Sequence, residues 1–144
     1  MRKFSYPLER VLHFRRLGLE IEQSRLARLR ADLASLDQMR REVDRQARQA
    51  STDVRTPAGP SRELDVYGAF RDSTRRLDRR LASRRAELLE KAGVQLQAVL
   101  EAHRRCEVLE RSRNKALEDW RRGQFREEEA LAGELHLARL SRER

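Results

Sequence analysis

The chain has 144 residues, of which 40% are charged and 5% aromatic, with three prolines, six glycines and a formal net charge of +9. Ala, Leu, Glu and Arg dominate and runs of Val, Ile and Thr are missing, which excludes a sheet-based core and points to long helices or coiled coil. Cys106 is the only cysteine, so an intrachain disulfide is excluded, and no apolar run reaches the length needed to span a membrane.

Residues 1–7 are charged and then polar, without the apolar stretch of a signal peptide. Together with the single cysteine this predicts a cytoplasmic protein in a reducing compartment. Pro7 suits a first helical turn, where its missing amide has no partner to lose, so helix one is expected from about residue 5 to 55. Steps of four and three from Leu8 visit fourteen positions as far as Val54, and only Arg15, Glu22 and Arg40 are not apolar. A stripe sustained over that length is the signature of a coiled-coil seam.

Pro57, Gly59 and Pro60 then break the helix, giving a turn over about 56–62. Ser61 is placed to cap the next helix, with Glu63 and Asp65 in the first turn, where the helix dipole favours negative charge. A connection this short makes the two helices antiparallel neighbours. Helix two is expected from about 62 to 141 and carries Tyr67, Phe70, Thr74, Leu77, Leu81, Arg84 and Leu88 on its stripe. The stripe slips by one position, resumes as Ala92, Leu96, Val99, His103 and Cys106, and ends in Leu117, Trp120, Leu131, Leu135 and Ala138. Gly93, Gly123 and Gly133 each weaken the helix, so bending or fraying toward the C-terminus is expected.

With the turn near residue 59, position i on helix one faces roughly 118 minus i on helix two. Helix two then overhangs by about 25 to 30 residues from about Lys115 onward, carrying the single tryptophan without a partner inside the chain. The expected fold is thus all-α: one domain over 1–144, an antiparallel two-helix coiled-coil hairpin with a longer, overhanging C-terminal helix.

Arginine carries nearly all the positive charge, since Lys3, Lys91 and Lys115 are the only lysines among 33 basic residues. Bidentate recognition of carboxylate or phosphate and coding bias both account for such a choice. By halves the excess is even: residues 1–60 carry 13 basic and 8 acidic side chains, and residues 61–144 carry 20 and 16. Acidic residues interleave with basic ones, so no basic block stands out and nucleic acid is not an expected partner. Glu127, Glu128 and Glu129 beside Arg121, Arg122 and Arg126 read either as a solvated helix face or as a mixed-charge contact surface around Trp120.

Catalytic motifs are missing. His13, His103 and His136 are far apart and none has metal-like spacing with Cys106. There is no glycine-rich phosphate loop or nucleophile elbow, and a two-helix hairpin encloses no pocket, so no enzyme activity, cofactor, metal or small-molecule substrate is expected.

The run Lys3-Phe4-Ser5-Tyr6-Pro7-Leu8-Glu9-Arg10-Val11-Leu12, followed by Arg15, resembles the start of the flagellar export protein FliJ family. Tyr67-Gly68-Ala69-Phe70 resembles that family's aromatic pair early in helix two. The resemblance implies a non-enzymatic stalk or adaptor of the flagellar type III protein export apparatus, peripheral at the inner membrane through its partners. It implies binding to the export ATPase ring through the helix termini, at Phe4, Leu8, Trp120, Phe125, Leu131 and Leu135. It also implies contact with the cytoplasmic domain of the export gate membrane protein through Tyr67, Phe70, Thr74, Leu77 and Leu81, and interaction with export chaperones. A stalk of the virulence type of secretion system and a self-associating coiled-coil scaffold are the alternatives.

Overall fold

The structure, a computed structural model, describes residues 3–54 and 61–142. It is all-α, built of α1, Glu9–Val54 with 46 residues, and α2, Ser61–Arg142 with 82, and the described residues include no strand. The expected turn falls mostly on residues 55–60, which lie outside the described residues, as do the side chains of Ser61 and Glu63. Helix α2 runs through Gly93, Gly123 and Gly133 to Arg142, so the expected fraying does not interrupt it.

Helix α1 begins at Glu9 rather than at about residue 5. A proline disfavours helical backbone in the residue before it, which keeps Tyr6 out of the helix. Pro7 and Leu8 form a turn instead: the Glu9 amide donates to the Tyr6 carbonyl at 3.2 Å, and the Leu12 amide to the Leu8 carbonyl at 2.9 Å. Glu9 then places a carboxylate in the first turn, and Arg139 and Arg142 place cations in the last turn of α2, both favourable to the helix dipoles.

Contacts divide the chain into two units, each made from both helices. One takes the residues up to Glu20 and those from Leu100 on; the other is Ile21–Val99. In the Ile21–Val99 unit the buried side chains are Leu26, Leu36 and Leu88. Its two helical segments run antiparallel, because Gln95 donates to the Glu22 backbone carbonyl at 3.0 Å while Arg40 meets Asp78 at 3.0 Å and Arg85 meets Asp37 at 2.7 Å. Arg40 lies opposite Asp78, the position that 118 minus i specifies. Two residues that break the apolar stripe therefore have a structural use: Glu22 and Arg40 each hold one polar partner on α2. A polar pair at one level of an apolar stripe favours the alignment that joins its two members.

The Arg85 guanidinium holds the Asp37 carboxyl below its usual range, and Arg45 and Gln46 bring Glu42 down to about 2. A carboxylate with a lowered folded-state value adds stability above its unfolded value and loses it as pH falls through the folded one. Helix content and Tm are therefore expected to fall as pH drops from about 4.5 to 2, as read by circular dichroism. A flat Tm across that window contradicts the pairing.

Gly93 is exposed, and a methyl group built on it meets nothing within 4 Å beyond its chain neighbours and its own helix backbone. Gly93→Ala is expected to stabilise the chain by about 0.5–1 kcal/mol, because glycine loses more backbone freedom in a helix. Thermal melting of the full chain checks this, and a lowered Tm contradicts it.

Candidate partner-binding surfaces

The unit that holds both the start of α1 and the end of α2 has a small core of Tyr6, Leu12 and Cys106, with Leu12 fully buried. Around it the helices are tied in antiparallel sense. The Tyr6 hydroxyl donates to the Leu109 carbonyl at 3.3 Å, Arg16 pairs with Glu110 at 2.8 Å, and Arg113 pairs with Glu9 at 2.9 Å. These ion pairs are a third to a half exposed, so each is worth at most about 1 kcal/mol and serves alignment more than stability. Burial pushes the Cys106 thiol up, with Glu110 acting in the same direction, so Cys106 is an inert core residue and not a reactive thiol.

Phe4 lies over Trp120, with ring centroids 5.9 Å apart and the planes tilted by 58°, a favourable edge-to-face type of contact. This corrects the expectation that α2 has no partner inside the chain from Lys115 onward. Ala116, Leu117, Trp120, Gly123 and Gln124 are all half-buried, and only from Phe125 to Arg142 is every residue exposed. The cause is the stretch before α1. It extends past the first helical turn and covers α2 further along than a helix-to-helix count allows. The unpartnered length is then about 18 residues, or roughly 27 Å of helix.

The six residues assigned to the helix termini thus separate into two groups. Phe4 and Trp120 face each other and are spent on the fold, whereas Phe125, Leu131 and Leu135 are 61%, 58% and 55% exposed. Leu8 is 42% exposed in the turn before α1. Leu131, Leu135 and Ala138 follow one another by four and three, so they continue along one face of a helix that has no neighbour there. Leu137 and Leu140 add exposed apolar surface on the adjoining side. Glu127, Glu128, Glu129 and Arg126 are exposed, and among the described residues none of them has an ion-pair partner, which fits the solvated reading of that run.

The second set lies in the Ile21–Val99 unit. Tyr67, Phe70 and Thr74 border a groove of about 490 Å³ whose other wall is Val43, Ala47 and Ser51 of α1. Leu77 and Leu81 border another of about 560 Å³, closed on the α1 side by Met39 and Val43. All five expected residues therefore sit on α2 where it meets α1, and they line two grooves rather than one patch. Thr74 is occupied locally, its hydroxyl donating to the Phe70 carbonyl at 2.9 Å. Met39, 56% exposed, was not singled out from the sequence because it stands beside the stripe, next to Arg40.

The even charge distribution requires correction as well. Residues 71–85 contain seven arginines and two aspartates, whereas the remainder of 61–144 holds thirteen basic and fourteen acidic residues. The whole positive excess of that half thus lies in fifteen residues. Summing by halves concealed it because acidic residues elsewhere on α2 offset their own basic neighbours.

Among the described residues no three His, Cys, Asp or Glu side chains are grouped as metal ligands, and no helix is long and apolar enough to cross a membrane. Compared with protein-family models, with curated proteins and with solved structures, the chain matches none.

Proposed function

We propose that the chain is a non-enzymatic stalk and adaptor of the flagellar type III export apparatus, its helices wound as an antiparallel coiled coil. The free end of α2 binds the export ATPase ring, the grooves beside Tyr67, Phe70, Leu77 and Leu81 receive the cytoplasmic domain of the export gate protein, and export chaperones are further partners. It works in the cytoplasm, peripheral at the inner membrane. One observation carries the reading: the apolar stripe through Leu131, Leu135 and Ala138 continues past the contact of Trp120 with Phe4, and from Phe125 to Arg142 every residue is exposed. An isolated helix of that length is marginal in water and gains stability by burying such a stripe against a partner. The likeness of Lys3 to Leu12 to the opening of the FliJ family selects the partner.

Co-sedimentation of the full chain with the export ATPase of the same source, with and without ATP, tests it. Saturable association supports the stalk. If the chain instead associates only with itself as its concentration rises, it is a self-pairing scaffold and the ATPase assignment fails.

A further inference from the structure

Six exposed arginines line α2 in the Ile21–Val99 unit, and Arg71, Arg75 and Arg79 among them also border the groove shared with α1. Arg71, Arg75 and Arg79 form one row and Arg76, Arg80 and Arg84 the next, each spaced by four residues or roughly 6 Å along the axis. All six are exposed, while Tyr67, Thr74, Asp78, Leu81 and Arg85, which face α1 more closely, are half-buried and Leu88 is buried. Among the described residues only Arg84 of the six has an ion-pair partner, Glu87 at 2.9 Å. The remaining acids do not neutralise the rows: Asp72 is a single charge between them, Asp78 is turned inward to Arg40, and Asp44 of α1 borders the same groove as Arg71, Arg75 and Arg79 but, among the described residues, forms no ion pair with them. Four like-charge pairs at four-residue spacing, 71 with 75, 75 with 79, 76 with 80 and 80 with 84, each work against the helix. Repulsion of that kind is relieved when an anionic surface supplies the counter-charge.

We infer that the Arg71–Arg84 face of α2 is a docking surface for an anionic lipid bilayer. Charge complementarity carries the assignment, and the composition of the face selects the occupant. Between the arginines stand only Asp72, Ser73 and Ser83, with Ala69 and Ala86 at the ends, while Tyr67 and Phe70 lie in the groove that Arg71, Arg75 and Arg79 border, so the outer side of the face has no aromatic or large apolar anchor of the kind around which protein interfaces are built. It has no aromatic ring on which a single-stranded base could stack. It does have long side chains in two rows, whose guanidinium heads can reach a common plane from both flanks of the helix, and a bilayer presents its phosphates in a plane. With nothing to insert, the attachment is purely electrostatic and reversible by salt.

The test uses the full chain, sedimented with vesicles of phosphatidylglycerol and phosphatidylcholine or of phosphatidylcholine alone, at low and high salt. Binding is expected only to the anionic vesicles and only at low salt. Each basic residue at such a surface contributes about fivefold, so the fourfold variant Arg75→Gln, Arg76→Gln, Arg79→Gln, Arg80→Gln is expected to bind at least about tenfold more weakly. Replacement of the same four by lysine, which keeps the charge, retains binding, and circular dichroism shows that both variants are helical. A control with the same loss of charge elsewhere, Arg104→Gln, Lys115→Gln, Arg139→Gln, Arg142→Gln, also retains it. No binding by the wild-type chain, or an equal loss in the control, overturns the inference. Release of the chain from vesicles by a DNA duplex at matched phosphate concentration also overturns it, and makes the face a nucleic-acid surface.

Discussion

Leu12→Ala is expected to destabilise the unit formed by the start of α1 and the end of α2 by about 2–5 kcal/mol. Among the described residues Leu12 is the one large side chain with no exposure at all, and the other buried apolar side chains of that unit are Tyr6 and Cys106. A core of three side chains has little capacity to close around the space left by an isobutyl group, so the cavity contribution persists. Trp120 reports the event, because Phe4 covers its ring only while the stretch before α1 is held in place. Denaturant unfolding followed by Trp120 fluorescence and by circular dichroism measures the loss. Leu17→Ala, at a site 45% exposed, is the control and is expected to cost less than about 1 kcal/mol. Equal costs at the two positions contradict the buried role of Leu12.

Leu131→Glu combined with Leu135→Glu is expected to leave helicity and stability of the free chain nearly unchanged while weakening ATPase binding at least about a hundredfold. Both side chains are more than half exposed and touch no other helix, and glutamate is a good helix former. In the proposed complex the same two positions would lie at the centre of the stripe, where buried apolar residues contribute about 2 kcal/mol or more each. A charged substitution at Trp120 is a poorer test. It removes the contact with Phe4 and disturbs the fold and the surface together. Full-strength binding by the Leu131, Leu135 variant eliminates this stripe as the contact.

The all-helical architecture was legible because apolar residues recur by four and three for most of α1, a pattern with one physical solution. The alignment in the Ile21–Val99 unit was legible to within about one helical turn, Arg40 meeting Asp78 where the count places it and Glu22 with Gln95 and Asp37 with Arg85 lying one and four residues from it, since a short turn leaves little freedom in how two helices meet. Glu22 and Arg40 looked like defects in the stripe, because single-helix periodicity does not reveal the polar partner waiting on the other helix. Phe4 over Trp120 was hidden for another reason. Residues before a proline-delimited helix start follow no period, and only three-dimensional placement brings residue 4 to residue 120. The arginine rows were present in the sequence but became distinct only when exposure separated the outer side of α2 from the inner one.

Hydrogen exchange of the free chain and of its mixture with the export ATPase shows whether α2 beyond Phe125 is held for a partner. Amides of residues 126–142 are expected to exchange fast in the free chain, where no neighbour covers them, while those of 9–20 and 100–117 are protected in both samples. Addition of the ATPase is expected to slow exchange across 126–142. Protection of that segment in the free chain at low concentration, or no change when the ATPase is added, contradicts the account.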